Sequence, residues 1–442
     1  MDTFDAGSED ECFATEACAV WERIGRFLYM TPGTRQPTVL TDDALRRYAD
    51  AIVRSCVALR AGERLLVDCE PAHRELAIAL ASAAYTQGAV LVDVMYTDRR
   101  VQRARIADGP DAALGQVPPW NEARLRAAIK PNISILRIVG DEDPDILSGL
   151  DTARVATDFQ ERSRSLRWFQ KAVISGRVRW SIVAWPTPTW AKRVYPELSK
   201  GAALRRLGED LIWFCRLTPD DGPDGWARHA KRLNRRASGL TKRKLSALQF
   251  RGPGTHLDVA LVPDTRWLGG GERAQNGRMV YPNFPTEEVF TSPDPRGTTG
   301  TFRCTTPLSF SGRVIQDITG EFRAGRLVAI NAKRPVDGEL LAATFNTDRG
   351  AGRLGEVALV DCNSRIGQAG RVYGDTLLDE NAAAHIALGD GFGATRSAKG
   401  LINRSAVHLD VMIGSDEVEV TGIGVRGRRI PLIVGGEWQL PD

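Results

Sequence analysis

The sequence lacks several features that would assign a protein class at once. Its seven cysteines form no Cys-x-x-Cys pair and are spread from Cys12 to Cys362. This pattern argues against a structural zinc site, and it predicts reduced thiols in a cytoplasmic protein. No stretch approaches the roughly 18 consecutive apolar residues of a membrane helix, so no membrane partner is expected.

The net charge of the chain is also small for its length. The net charge is +4 over 442 residues, and the basic residues are scattered or interleaved with acids. The densest basic stretch, residues 228–244, carries leucines at roughly helical spacing, which favours a solvated helix face over a nucleic-acid patch. No nucleic-acid partner is therefore expected. No glycine-rich phosphate loop follows a predicted strand, so nucleotide binding is not supported either.

The first 36 residues have neither the basic start nor the apolar stretch of a signal peptide. They begin acidic, and we expect residues 1–37 to form an added N-terminal extension. Its apolar positions are typical of a short amphipathic helix, and they are Val20, Trp21, Ile24, Phe27 and Leu28.

The remaining length exceeds one ordinary core and predicts two domains. Residues 38–245 alternate helix and strand patterns, beginning with a helix capped by Thr41 or Asp42 and ending with a helical hairpin over 199–244. Strands separated by helices predict an α/β domain with a mainly parallel sheet. The predicted strands lie at residues 64–69, 89–96, 133–139 and 180–185.

The pattern changes after residue 245, where glycine and threonine rise and the strands shorten. Residues 246–442 predict an α+β C-terminal domain with a mainly antiparallel sheet that carries the metal site. One helix is expected within it, at residues 379–389, because an aspartate precedes a run of alanines that ends at a glycine.

Five side chains in this domain are candidate metal ligands. The alternation in residues 405–414 predicts a strand with His408 and Asp410 on one face, opposite Leu409 and Val411. A buried histidine and aspartate require a polar partner. The other candidates are His385 on the predicted helix, where Asn381 would share its face, Glu356 in a short apolar run, and Glu288, which follows Glu287 at the entry to an apolar segment.

Each candidate alone has an ordinary explanation, since core histidines are usually hydrogen-bonded and a lone strand glutamate usually faces water. A second His-x-Asp, at His256 and Asp258, shows how little that tripeptide means by itself. Taken together, three carboxylates and two imidazoles suit two divalent ions that share a carboxylate, and zinc, cobalt and manganese all tolerate that set.

Four segments carry a family resemblance. They are P-T-E-E-V-F-T-S-P (285–293), L-G-E-V-A-L-V (354–360), D-T-L-L-D-E-N-A-A-A-H-I-A-L-G (375–389) and H-L-D-V-M-I-G-S (408–415). In this order they resemble the motifs of metal-dependent aminopeptidases of the aminopeptidase T and aminopeptidase S type, and the resemblance runs from about Thr41 to the C-terminus. It implies that the metal ligands are Glu288, Glu356, His385, His408 and Asp410.

The resemblance implies a cytoplasmic, homodimeric aminopeptidase that releases the N-terminal amino acid from peptides, with a metal-bridged hydroxide as nucleophile. One ion would polarise the scissile carbonyl while the second held the free α-amine. Glu287 is a candidate proton-accepting base, although neighbouring residues on a strand face opposite sides. The resemblance also implies that His256 and Asp258 are not metal ligands.

One position departs from the family pattern. Phe392 stands where the family has a tyrosine that donates to the tetrahedral intermediate, and losing such a donor costs about 3–4 kcal/mol of transition-state stabilisation. We hypothesise that Tyr373 takes over this role. The stretch between His385 and His408 is also shorter than in most relatives.

Three alternatives remain open at the level of sequence. The first is a specialised metal-dependent amidase or hydrolase acting on a small non-peptide or modified peptide substrate. The second is a mononuclear iron ring-opening dioxygenase of the same fold, although Glu288 and Glu356 exceed the three ligands of a facial triad. The third is a pseudoenzyme that binds a metal or a partner without turnover.

Overall fold

The computed structural model describes residues 39–262, 264–274, 276–311, 313–395 and 401–441. The predicted extension, with its amphipathic helix, lies outside the described residues. In the first half, four strands match the predicted positions to within two residues at either end. They are β1 (Arg64–Cys69), β2 (Leu91–Tyr96), β3 (Ile133–Val139) and β4 (Arg179–Ala184).

Helices connect these strands, and the first begins at the predicted cap, where the Thr41 hydroxyl accepts a hydrogen bond from the Ala44 N–H at 3.3 Å. A π-helical turn, Ile52–Cys56, continues that helix. The last two helices cover the residues for which a helical hairpin was predicted. The α-helices of this half are Asp42–Ala51, Arg74–Thr86, Arg99–Asp108, Pro119–Ala128, Thr152–Ser165, Arg167–Ile174, Pro188–Val194, Lys200–Phe214 and Gly225–Arg243.

The second half is built mainly of short strands, with helices at Pro335–Phe345, Arg365–Gln368 and Thr376–Asp379. Its strands are β5 (Ala247–Gly252), β6 (Thr255–Ala260), β7 (Leu268–Gly269), β8 (Glu272–Arg273), β9 (Met279–Val280), β10 (Asn283–Phe284), β11 (Val289–Thr291), β12 (Thr299–Arg303), β13 (Leu308–Phe310), β14 (Arg313–Ile315), β15 (Thr319–Arg323), β16 (Arg326–Asn331), β17 (Leu354–Leu359), β18 (His385–Gly389), β19 (His408–Met412), β20 (Glu419–Ile423), β21 (Arg429–Val434) and β22 (Glu437–Trp438).

The first half forms a five-stranded sheet in the order β10-β4-β3-β1-β2, and every strand pair in it is parallel. This confirms the predicted parallel α/β architecture. Strand β10 comes from later in the chain and pairs with β4. The segment that leads to Glu288 therefore starts inside the parallel sheet.

Antiparallel sheets dominate the second half, as predicted. One has five strands in the order β19-β18-β17-β11-β7, and the other has eight in the order β16-β15-β12-β6-β5-β20-β21-β22. Both contribute apolar side chains to one core, which includes Phe250, Phe302, Val357, Ile386 and Val411. Burial of this surface holds the smaller sheet in place beneath the candidate site.

The prediction of a helix at residues 379–389 is wrong. The helix Thr376–Asp379 stops where the prediction began, and His385–Gly389 is β18, a fully buried strand that pairs antiparallel with both β17 and β19. The helix propensity of alanine is worth only tenths of a kcal/mol per residue, about 0.7 at most, whereas a central strand gains hydrogen bonds from two neighbours and burial on both faces. Asn381 and His385 consequently do not share a helical face.

The five cysteines among the described residues are free thiols, as expected. Within the same residues, no helix combines the length and the apolar character needed to cross a membrane.

Candidate metal centre

The five predicted ligands converge on the five-stranded antiparallel sheet. One ligand atom from each of Glu288, Glu356 and His385 lies within 4.8 Å of the others, and Glu356, His408 and Asp410 form a second such set. Glu356 belongs to both sets. We call these five residues the ligand cluster.

Strand register explains why these side chains meet. Glu356 on β17 pairs with Ala387 on β18, and Ala387 pairs with Asp410 on β19. Directly paired residues of antiparallel strands share a face, and so do residues two apart on one strand. His385 and His408 each lie two residues before a member of this row, so they project from the same face. The small side chain of Ala387 leaves space between the carboxylates.

Two glycines in the motifs allow the ligand strands to approach closely. A Cβ on Gly355 would lie 2.1 Å from the carbonyl oxygen of Asp390, and one on Gly389 would lie 2.0 Å from that of Val407. Gly389 also has a φ of +112°, which side chains with a Cβ rarely adopt. These glycines therefore set the backbone positions of Glu356, His385 and His408.

Both imidazoles are oriented for ligation through Nε2. The His408 Nδ1 donates to the Asp390 carbonyl at 2.8 Å, and the His385 Nδ1 donates to the Ala383 carbonyl at 3.2 Å. Because a carbonyl only accepts, Nδ1 carries a proton in each ring, and Nε2 is the ring atom that faces the cluster. The His385 Nε2 lies 3.2 Å from Glu288, and the His408 Nε2 lies 3.3 Å from Glu356.

The electrostatics of the cluster favour a cation. Burial would lower the pKa of His385, but a hydrogen bond to Glu288 and the charges of neighbouring carboxylates outweigh it and raise that pKa to about 10. Burial raises the pKa of Glu356 to about 7. For Asp410, burial would raise the pKa, but the charge and hydrogen bond of His408 outweigh it and lower that pKa. A divalent cation supplies the positive charge that these crowded carboxylates lack.

Glu287 is not brought into the ligand cluster. Its carboxylate is buried against the Arg216 guanidinium, with Nη2 to Oε2 at 2.8 Å, and His229 lies 3.4 Å away. Its backbone N–H donates to the Asn381 Oδ1 at 2.7 Å. Glu287 and Glu288 thus contact different partners, although both lie in the segment between β10 and β11 rather than in a strand.

Tyr373 also points elsewhere. Its hydroxyl lies 3.5 Å from the Asp210 carboxylate, and its ring packs edge-on against Phe214. Phe392, in contrast, packs edge-on against the imidazole of His408, with ring centroids 5.3 Å apart. Phe392, which stands where the resemblance implies a tyrosine, therefore contacts the cluster and offers no hydroxyl there.

The sequence prediction missed Glu380, a buried carboxylate whose Oε1 accepts a hydrogen bond from the Asn283 amide at 2.9 Å. Burial raises the pKa of Glu380 well above its usual range, and the nearby negative charges of Asp410 and Glu288 raise it further. An acid five residues before a ligand histidine was a usable signal. The incorrect helix placed it on a different face from His385.

His256 and Asp258 lie away from the cluster, as the resemblance implies. His256 is exposed on β6, and Asp258 pairs with Arg251.

The donor set fits divalent metal ions. Carboxylate oxygens and neutral imidazole nitrogens bind divalent ions such as zinc, cobalt and manganese, and Glu356 belongs to both candidate residue sets. The oriented Nε2 atoms match the hydrogen-bonding pattern of ligand histidines.

Residues 41–438 match the family of thermophilic metalloproteases (M29). The chain belongs to this family. It is 35% identical to aminopeptidase T of Thermus aquaticus over 404 residues, which cover 89% of this chain and 98% of that protein. It is 32% identical to aminopeptidase AmpS of Bacillus subtilis over 89% of this chain and 98% of that relative.

A solved structure agrees with this assignment, and a second one shares only the fold. The structure of AmpT from Thermus thermophilus superposes with a TM-score of 0.84 at 34% identity, covering 91% of this chain and all of that one. A 2,5-dihydroxypyridine dioxygenase from Pseudomonas putida shares the fold with a TM-score of 0.50 at 12% identity, covering 90% of this chain and 96% of that one. As a member of the M29 family, the chain is a metal-dependent hydrolase of peptide bonds.

Proposed function

We propose that this M29 protein is an aminopeptidase that uses two divalent metal ions to release the N-terminal amino acid from peptides. The observation that carries the proposal is that Glu356 belongs to two separate sets of side chains, each of which could hold a metal ion. Glu288 and His385 would hold one ion, and His408 and Asp410 the other. The aminopeptidase names of its relatives support the reaction class.

Two ions of zinc, cobalt or manganese at this site would supply hydroxide at neutral pH, polarise the scissile carbonyl and hold a free α-amine. The protein residues perform the remaining tasks. Hydrogen bonds from Nδ1 fix the ligand imidazoles, and Arg216 fixes Glu287 and thereby the backbone at Glu288. We further propose a cytoplasmic homodimer, as the family resemblance implies, acting on peptides or small amides.

A second candidate is a hydrolase specialised for a small or modified amide. It is favoured by Phe392, which packs on His408 where the family tyrosine would donate a hydrogen bond. A substrate that brings its own hydrogen-bond donor to the developing oxyanion would not need that tyrosine.

The two candidates differ in the substrates that they accept. The metal-loaded full chain is incubated with a set of short peptides that carry free or acetylated N-termini, and the products are identified by mass spectrometry. An aminopeptidase releases one residue at a time from the free series and spares the acetylated one. Activity confined to small amides would favour the second candidate.

The dioxygenase alternative is tested with the same preparation. The chain is loaded with ferrous iron and assayed for oxygen uptake with a dihydroxypyridine. We expect none, because five ligands surround the site where three would suffice.

A further inference from the structure

Arg179, the first residue of β4, is a buried arginine whose guanidinium is only partly paired. The side chain is 3% exposed, and its Nη1 donates to the Glu63 Oε2 at 2.9 Å. Among the described residues, neither Nε nor Nη2 of Arg179 has a hydrogen-bond acceptor, although both atoms are shielded from solvent. Buried N–H groups are nearly always hydrogen-bonded, so these donors require a bound ion or an ordered water.

The two unpaired nitrogens lie on one edge of the guanidinium. The N–H bonds of Nε and Nη2 on this edge are parallel, and such a fork binds an anion through two charge-assisted hydrogen bonds. Nη1, which pairs with Glu63, lies outside this edge. Arg179 therefore keeps a complete two-point donor inside the protein.

The charge around Arg179 is also unbalanced. Arg278 donates through its own Nη1 to the same Glu63 oxygen at 2.8 Å, and the backbone N–H of Arg60 is a third donor to it at 2.9 Å. Two guanidinium ions thus share one carboxylate, which leaves one positive charge without a partner. A buried charge that lacks a counter-ion costs several kcal/mol.

These three side chains lie far from the ligand cluster along the parallel sheet. Glu63 directly precedes β1 and Arg179 begins β4, so both lie at the edge where the parallel strands start. Strand β10 pairs in parallel with β4, and Glu288 follows the end of β10 at the opposite edge. Arg278 comes from the turn between β8 and β9. The unpaired fork is therefore separate from the metal centre.

The free fork and the excess positive charge call for the same kind of ligand. A water molecule could accept from the fork, but it would leave the charge unbalanced. We propose that the Nε–Nη2 edge of Arg179 binds a small monovalent anion, such as chloride or formate. The anion neutralises the second guanidinium charge and stabilises the contact between the start of β4 and the segment that carries Arg278.

The test measures the melting temperature of the metal-loaded full chain in sodium salts of chloride, bromide, nitrate and formate at constant ionic strength. Gluconate, which is too large for a buried fork, is the reference anion. Because an anion that binds only the folded state stabilises it by mass action, we expect about 100 mM of a binding anion to raise Tm by about 2–4 °C. Comparison of the halides with nitrate and formate shows whether the site prefers a spherical or a planar anion.

Two arginine variants assign the effect to Arg179. Arg179→Lys keeps the positive charge but has no fork, so its anion-dependent shift should fall below about 1 °C, with peptidase activity unchanged. The matched control is Arg124→Lys. Arg124 is also largely buried, and its Nε, Nη1 and Nη2 already donate to Asp93, Asp68 and the Val67 carbonyl. This variant should lose stability but keep the wild-type anion dependence.

A crystal of the wild type grown in bromide gives a direct readout, and we expect an anomalous peak beside Nε and Nη2 of Arg179. This readout also decides the matter if Arg179→Lys fails to fold. A water at that position, or a Tm that is the same in every salt, would overturn the proposal. An anion-dependent shift that persists in Arg179→Lys would place the site elsewhere. A bromide peak without any shift in Tm would mark an adventitious ion only.

Discussion

Arg216 and Glu287 form a buried two-point ion pair that ties the end of the helix Lys200–Phe214 to the residue before the candidate ligand Glu288. The Nη2 to Oε2 distance is 2.8 Å, and the two side chains are 7% and 2% exposed. Arg216 adopts a left-handed φ of +56° directly after the helix Lys200–Phe214. The pair holds Glu287 away from the cluster and thereby aims Glu288 into it.

We therefore expect Glu287→Gln to act on stability and metal affinity. Breaking a buried pair strands the remaining charge and costs about 3–5 kcal/mol in the free energy of unfolding. Urea unfolding gives this loss, and titration calorimetry gives the metal affinity, which should fall. The control Asp294→Asn removes the partner of the largely exposed Arg296 and should cost about 1 kcal/mol or less. A stable, fully metallated Glu287→Gln with low kcat would restore Glu287 as the base.

If the ligand assignment is correct, two substitutions should cause the same loss of metal and activity. His385→Ala and Asp410→Asn should each lower metal content and reduce activity by orders of magnitude, while circular dichroism stays unchanged. His256→Ala, on an exposed strand position, is the matched control and should bind metal as the wild type does. Wild-type activity in either ligand variant would remove that residue from the set.

Substitutions at two aromatic residues should have different effects on turnover. Tyr373→Phe removes a hydroxyl that faces Asp210, so it should cost about 1 kcal/mol of stability and leave turnover within about twofold. Phe392→Tyr adds a hydroxyl beside His408 and should raise turnover, by up to about 10²-fold. A folded Tyr373→Phe that loses about 10² in kcat would instead place Tyr373 in the reaction, as the sequence hypothesis holds.

We expect Glu63 to make a pH-dependent contribution to the free energy of unfolding. Burial would raise the pKa of Glu63, but hydrogen bonds from Arg278 and Arg179 outweigh it and lower that pKa. A carboxyl with a lowered folded pKa stabilises the fold fully above its unfolded pKa of about 4.3, and this stabilisation is lost as pH falls through the folded value.

The difference in unfolding free energy between wild type and Glu63→Gln should therefore be largest near pH 7 and shrink below about pH 4. Urea unfolding at several pH values measures it. Asp43→Asn, at an exposed pair with Arg46, serves as the control and should show little change. A difference that grows as the pH falls would contradict a lowered pKa for Glu63 in the folded protein.

Much of the fold was predictable because its signals are local. Strand β3 was predicted at its observed bounds from an apolar run, and the period of two placed His408 and Asp410 on one face without any tertiary information. The same local reasoning failed for β18, whose alanines favour a helix in isolation. Pairing with β17 and β19 decided its structure, and those partners are distant in sequence.

The partners of the two supporting glutamates were not predictable, because they are also distant in sequence. The Glu287 carboxylate is held by Arg216, 71 residues away in sequence, and the Glu380 carboxylate by Asn283, 97 residues away. Nothing in the sequence around either glutamate identifies its partner. The five candidate ligands could be named from the sequence because their motifs are contiguous and occur in a recognisable order, and the structure brings their side chains together.

The central claim is that Glu356 joins two metal sites in one catalytic centre, and metal stoichiometry measured together with activity tests it most directly. Native mass spectrometry of the chain titrated with zinc, cobalt or manganese should show two ions per chain, with peptide release requiring both. Glu356→Gln should lose both ions, whereas Asp410→Asn should keep one. Full activity with one ion per chain, or Glu356→Gln that retains two, would contradict the account.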